Sequence, residues 1–186
     1  MNDCDIIKAR QRAWATRRGL TFDADGYCTC VDDNIFQGLS AGARSDFGSG
    51  NGAELGKNGG GGKIQALHSS SALACNWFDY WRGRDLQPLS RAFGVSVQFS
   101  KLALEHKFPT GLGGISPNLD VLLTCSDGSL FAIESKFTEP YMKSNGKTYL
   151  KPEYFPRVRG LWTDAGLRGC QAIAEALRCG QPGTVA

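Results

Sequence analysis

Three side chains in the second half of the sequence stand at a spacing that could do chemistry: Asp120, then Glu134 and Lys136 with one residue between them. Side chains alternate along a β-strand, so a strand over residues 129–137 sets Ala132, Glu134 and Lys136 on one face. Phe131, Ile133, Ser135 and Phe137 take the other, which reads as core. A preceding strand is predicted over residues 119–125, and Ser126-Asp127-Gly128 between the two fits a three-residue hairpin loop with glycine in the left-handed position. If Cys125 faces Ser129, then Asp120 lies opposite Glu134 and Leu122 opposite Ala132. A two-residue Asp-Gly turn would instead send the two acids to opposite faces.

Two ionised carboxylates about 4 Å apart repel by up to ~4 kcal/mol at an effective dielectric near 20, and a divalent cation relieves that repulsion. Mg²⁺ takes one or two carboxylates and several waters, which leaves positions for a phosphate oxygen and an attacking water; Mn²⁺ is an alternative. An ammonium such as Lys136 then stabilises charge on the phosphorane-like transition state or helps position the water. Glu105, on a strand predicted over residues 95–106, is a candidate further ligand. The chemistry expected of this set is metal-dependent phosphodiester hydrolysis.

Several elements must position these residues. A short helix is predicted over residues 5–18, and an irregular glycine-rich arm over residues 41–62. An amphipathic helix comes next, over residues 64–82, stopped by Gly83, with a turn region at 109–114 before the hairpin. Residues 138–160 read as an irregular basic segment, and residues 164–179 as a last helix ended by Gly180 and Pro182. This divides the chain into an N-terminal extension, residues 1–62, and a core, residues 63–186. The fold class is α/β, with a mixed central β-sheet flanked by helices.

At Pro117-Asn118-Leu119-Asp120 and Glu134-Ser135-Lys136 the sequence resembles the PD-(D/E)XK nuclease superfamily, and residues 64–178 look like a group of bacterial restriction endonucleases within it. The resemblance implies a restriction-endonuclease-like αβββα core and an endonuclease acting on foreign DNA. It makes Asp120 and Glu134 metal ligands, Lys136 the catalytic lysine and Glu105 an accessory acid. Pro117 stands three residues before Asp120 rather than beside it. The superfamily's fourth strand falls to residues 146–156 or to a homodimer partner, or the chain is a truncated form.

Length and composition allow one ordinary domain: 186 residues, 41% apolar and 21% charged, suit a soluble protein with a core. A net charge of +3 is too small to announce a polyanion partner, so the positions of the cations decide. Lys143, Lys147, Lys151, Arg157 and Arg159, interleaved with tyrosines, are the candidate nucleic-acid contacts, and Arg82, Arg84 and Arg91 extend that surface. DNA is the expected substrate, with RNA open. Seven scattered cysteines suit free thiols in a cytoplasmic protein, and no signal or membrane-spanning stretch is visible. Gly56-Lys57 and Gly62-Lys63 fail the phosphate-loop pattern, and Cys28 and Cys30 are too close for a zinc knuckle. His106 reads as a strand-end surface histidine, and Ser69, Ser70 and Ser71 as capping or packing residues. The rival function is a non-catalytic nucleic-acid-binding module of the same fold.

Overall fold

Val121, Leu122 and Leu123 are consecutive and all buried, the signature of a strand covered on both faces. They lie at the centre of β2, Asn118–Cys125, which a computed structural model places between β1, Phe99–Lys107, and β3, Leu130–Ile133. The structure describes residues 2–50, 52–56, 61–109 and 116–142, all in one unit of the chain; a second unit, Thr110–Gly114 with Lys143–Ala186, lies outside them. Both strand pairs are antiparallel, so no mixed pairing occurs among the described residues. The α/β class holds, while the expected fourth strand and the helix over 164–179 fall outside the described residues.

The β2–β3 hairpin has the register its loop predicts. Leu122 pairs with Ala132 and Val121 with Ile133. The Cys125 N–H donates to the Ser129 carbonyl at 2.8 Å, and Gly128 takes φ +83°, which is why glycine is needed there. β3 is shorter than expected, ending at Ile133 rather than reaching Phe137. The cause is competition for backbone donors: the Ser135 N–H donates to Asp120 Oδ2 at 2.6 Å, and Ser135 Oγ donates to the Ser70 carbonyl at 3.0 Å.

Other boundaries differ from the expected ones as well. β1 begins at Phe99, not Val95. The long helix expected over 64–82 is interrupted, because Ala66 bridges to Tyr27 and Ser69 caps a new start, accepting from the Ala72 N–H at 3.2 Å. The helix that starts there is α3, Ser70–Phe78. The glycine-rich arm contains a helix, α2, Ala41–Ser49, started by Ser40, whose Oγ accepts from the Ala43 N–H. Ala43 and Phe47 on α2 pack into the same core as Ile64, Leu104, Val121 and Leu123, so this segment is held by apolar burial despite its glycines.

Helix α1, Asp3–Arg17, starts with an Asn2/Asp5 capping box and buries only Cys4 and Ala15. A short α4, Gln87–Ala92, has no counterpart among the expected elements. An internal ion-pair network joins these layers. Arg82 pairs with Asp46 at 2.6 Å and Asp79 at 3.0 Å, while Asp46 Oδ2 also accepts from the Leu104 N–H of β1. Among the described residues, no helix is long and apolar enough to cross a membrane.

Candidate active site

The acids are gathered at the open end of the three-strand ladder. Asp120 follows Leu119 on β2, and in β1 Leu104 and His106 pair with Val121 and Leu119, so Glu105 falls beside Asp120. Glu105 is only 6% exposed and takes φ +47°, a left-handed conformation that L residues avoid. Its carboxylate accepts from Asn118 Nδ2 at 3.1 Å, and the other amide atom, Asn118 Oδ1, is buried with no partner among the described residues.

Lys136 closes the group. Its Nζ stands 3.9 Å from Asp120 Oδ2 and donates a hydrogen bond to Glu134 Oε1. The two acids and the amine therefore meet at one spot, although residues 134–136 lie beyond the last ladder pair. Burial differs across the set: the Asp120 side chain is 14% exposed, Lys136 45% and Glu134 55%. His106 is exposed at the strand end, as expected.

A further acid comes from the segment expected to be a plain glycine-rich arm. Glu54 is buried, and its carboxylate accepts from Ser71 Oγ at 2.8 Å and faces Lys63 Nζ at 3.5 Å. Its backbone is fixed by Gly62, where any Cβ would run into the Glu54 carbonyl oxygen. Glu54, Glu105, Asp120 and Lys136 line a cleft of about 440 Å³ whose other wall carries His68 and Ser69–Ser71. The sequence signal for Glu54 would have been a lone acid and leucine kept among glycines, a pattern of close backbone approach rather than of a linker.

Burial and mutual repulsion set the protonation of this cleft. Desolvation, then the charges of Glu54 and Asp120, push the Glu105 carboxyl up to about 7 against the Asn118 hydrogen bond. Burial also raises Asp120, opposed by the Ser135 N–H and assisted by the charge of Glu134. Burial draws Lys136 down, but the Glu134 hydrogen bond and the charge of Asp120 carry it above the ordinary lysine value, so its amine is an ammonium at neutral pH. His68 is lowered by burial and by the cations Lys8 and Arg12, which favours its neutral imidazole.

The donor set is all oxygen, which suits a hard cation that keeps several waters. Among the described residues no three His, Cys, Asp or Glu side chains form a ready-made cage. A pair of carboxylates, Asp120 with Glu134 or Glu105, nevertheless meets the one or two that Mg²⁺ asks of a protein.

Lys143, Lys147, Lys151, Arg157 and Arg159 lie outside the described residues. Arg82 does not extend a DNA surface, because Asp46 and Asp79 hold it inside the fold. Arg84 lies over the Tyr80 ring at 4.4 Å.

Compared with known protein families, residues 8–165 match the family described as Restriction Endonuclease associating with ARP. No curated protein and no solved structure matches the chain.

Proposed function

The chain belongs to the family of restriction endonucleases associating with ARP, and from that premise we propose that it is a Mg²⁺-dependent endonuclease of the PD-(D/E)XK type, hydrolysing the phosphodiester backbone of DNA. The observation that carries this reading is the clustering of Asp120, Glu134 and Lys136, with the Lys136 ammonium between the two carboxylates and the Ser135 N–H on Asp120. Asp120 and Glu134 are the proposed metal-holding residues, with Glu105 an additional carboxylate. Mn²⁺ is the substitute metal expected to support the same chemistry.

Bound at these acids, the metal ion supplies a Lewis acid for a phosphoryl oxygen and lowers the pKa of a water. The chain's own side chains do the rest. The Ser135 N–H fixes one Asp120 oxygen, so the carboxylate is oriented before substrate arrives. Lys136, charged and half exposed, offers its ammonium to the extra negative charge that develops on the phosphoryl oxygens. A raised lysine pKa makes it a charge stabiliser rather than the base that takes the water proton.

Cleavage of supercoiled plasmid in Mg²⁺, compared between wild type and Asp120→Ala, tests the reading. Nicking or linearisation by wild type that falls at least about a hundredfold in the variant supports it. Equal cleavage by the two ends it. DNA binding by a wild type that never cuts favours the non-catalytic module instead.

A further inference from the structure

Helix α1 is poorly explained as a packing element. It buries only Cys4 and Ala15, yet carries Lys8, Arg10, Arg12 and Arg17, with Arg18 just after it. Arg10, Trp14, Arg17 and Arg18 recur at i, i+4, i+7 and i+8, so they share one outward face. Among the described residues, Arg10, Arg17 and Arg18 form no ion pair. Trp14, at the middle of that face, is 41% exposed.

The C-terminal end of the face meets a second feature. Trp14, Arg18, Leu20, Asn34, Phe36 and Gln37 line a cleft of about 450 Å³, and Phe36 is 74% exposed. Its loop is held rather than loose. The Phe36 N–H donates to Asn76 Oδ1 at 2.7 Å, the Gly38 N–H to the Ile35 carbonyl at 3.0 Å, and Gln37 is fixed at φ +74°. Phe36 and Trp14 thus put two exposed aromatic side chains on one cleft, beside Arg18. Two acids also line this cleft: Asp32 is paired with Arg44 and accepts from the Leu39 N–H, both at 2.8 Å, while Asp33 accepts from the Cys30 N–H at 3.4 Å and keeps its charge, so phosphate contacts fall to the helix face and not to the cleft floor.

We infer that the Arg10–Trp14–Arg17–Arg18 face and the Phe36 loop form a docking surface for nucleic acid, outside the cleft that holds Asp120. The chemistry of the face selects the partner. Guanidinium groups spread over about 12 Å of helix, at 1.5 Å per residue, can meet more than one backbone phosphate. Aromatic side chains beside them are the platforms on which bases stack. Helix α1 packs against the Glu139–Tyr141 turn, and its Lys8 and Arg12 side approaches His68, so the Arg10–Trp14–Arg17–Arg18 face is turned away from the cleft toward solvent. The arginine face therefore holds a strand that passes outside the cleft. The inference rests on the nuclease reading only for the identity of that strand as substrate.

The test uses the full chain and a fluorescein-labelled duplex of arbitrary sequence carrying a single-stranded overhang, whose unpaired bases are free to stack, by fluorescence anisotropy in EDTA, so that docking is read apart from turnover. Arg10→Gln/Arg17→Gln/Arg18→Gln removes three phosphate contacts, worth about 0.9 each in the salt slope. Between 50 and 200 mM salt the wild type is then expected to lose about 40-fold more affinity than the triple variant. Phe36→Ala, an exposed change with a separate effect, is expected to weaken binding several-fold with the slope unchanged, and it carries the test should the triple variant fail to fold. Absence of DNA binding by wild type, or an unchanged Kd and slope in folded variants, overturns the proposal and leaves an acidic protein surface as the partner of this face. A wild type that binds with the expected slope yet never cuts in Mg²⁺ ends the nuclease reading while the docking surface stands.

Discussion

Replacing Glu105 by glutamine should make the metal-free protein more stable while impairing its proposed activity. Glu105 titrates near 7 in the folded chain against an ordinary value of 4.5. The native state therefore holds this proton more tightly than the unfolded chain does, and stability falls as pH rises through that interval. At 1.36 kcal/mol for each tenfold change, ionising Glu105 costs the fold about 3 kcal/mol once the pH exceeds 7. Glutamine has no such titration and keeps an oxygen to accept from Asn118 Nδ2.

Glu105→Gln is accordingly expected to gain about 1 kcal/mol at pH 5 and about 3 kcal/mol at pH 8. Urea unfolding followed by circular dichroism in EDTA at the two pH values reads both gains. In Mg²⁺ the wild type should recover stability that the variant does not, since a ligand bound only by the native state adds to its stability. A variant that is less stable than wild type at pH 8, or a gain that does not grow from pH 5 to pH 8, would refute the account of Glu105 as a strained, function-bearing acid. An exposed strand glutamate would give neither the gain nor its pH dependence.

Three more outcomes are expected from the same geometry. Glu54→Gln removes a charge that raises Glu105, so the Glu105 titration, followed by carboxyl carbon NMR, should move to lower pH; an unmoved titration would separate Glu54 from the site. Arg82→Met leaves Asp46 and Asp79 partly buried without their cation and should cost about 2–3 kcal/mol in urea unfolding, with loss of activity because Asp46 also holds β1 through Leu104. Gly62→Ala places a methyl against the Glu54 carbonyl and should destabilise by at least about 2 kcal/mol, measured the same way, with plasmid cleavage falling as Glu54 is displaced.

What the sequence made legible is local. The Ser126-Asp127-Gly128 loop carries its own conformational requirement at Gly128, and its length sets the register from Thr124–Leu130 to Val121–Ile133, one step short of Asp120 and Glu134. What was hidden depends on contacts between distant segments. Glu54 lies in a glycine-rich stretch whose residues look unable to order themselves, yet Phe47 and Ala43 before it and Ile64 after it enter the main core and hold it. The break in the helix expected over 64–82 depends on the Tyr27–Ala66 bridge, which no periodicity within that helix reports.

The end of β3 shows why the functional part is the harder one to read. Alternation extends to Phe137 in the sequence, and a ladder that continued with it would commit the Ser135 N–H to a backbone carbonyl. The fold gives that donor to the Asp120 carboxylate instead, and the chain leaves the sheet at Glu134. Departure from the ladder lets one short segment both orient Asp120 and lay Lys136 beside it. Regular pairing would have left Lys136 two residues further along the strand, beyond Glu134 and away from Asp120. The same local rule that finds the acids thus fails where the acids begin to act, because there the carboxylate, and not the neighbouring strand, is the stronger partner for the backbone.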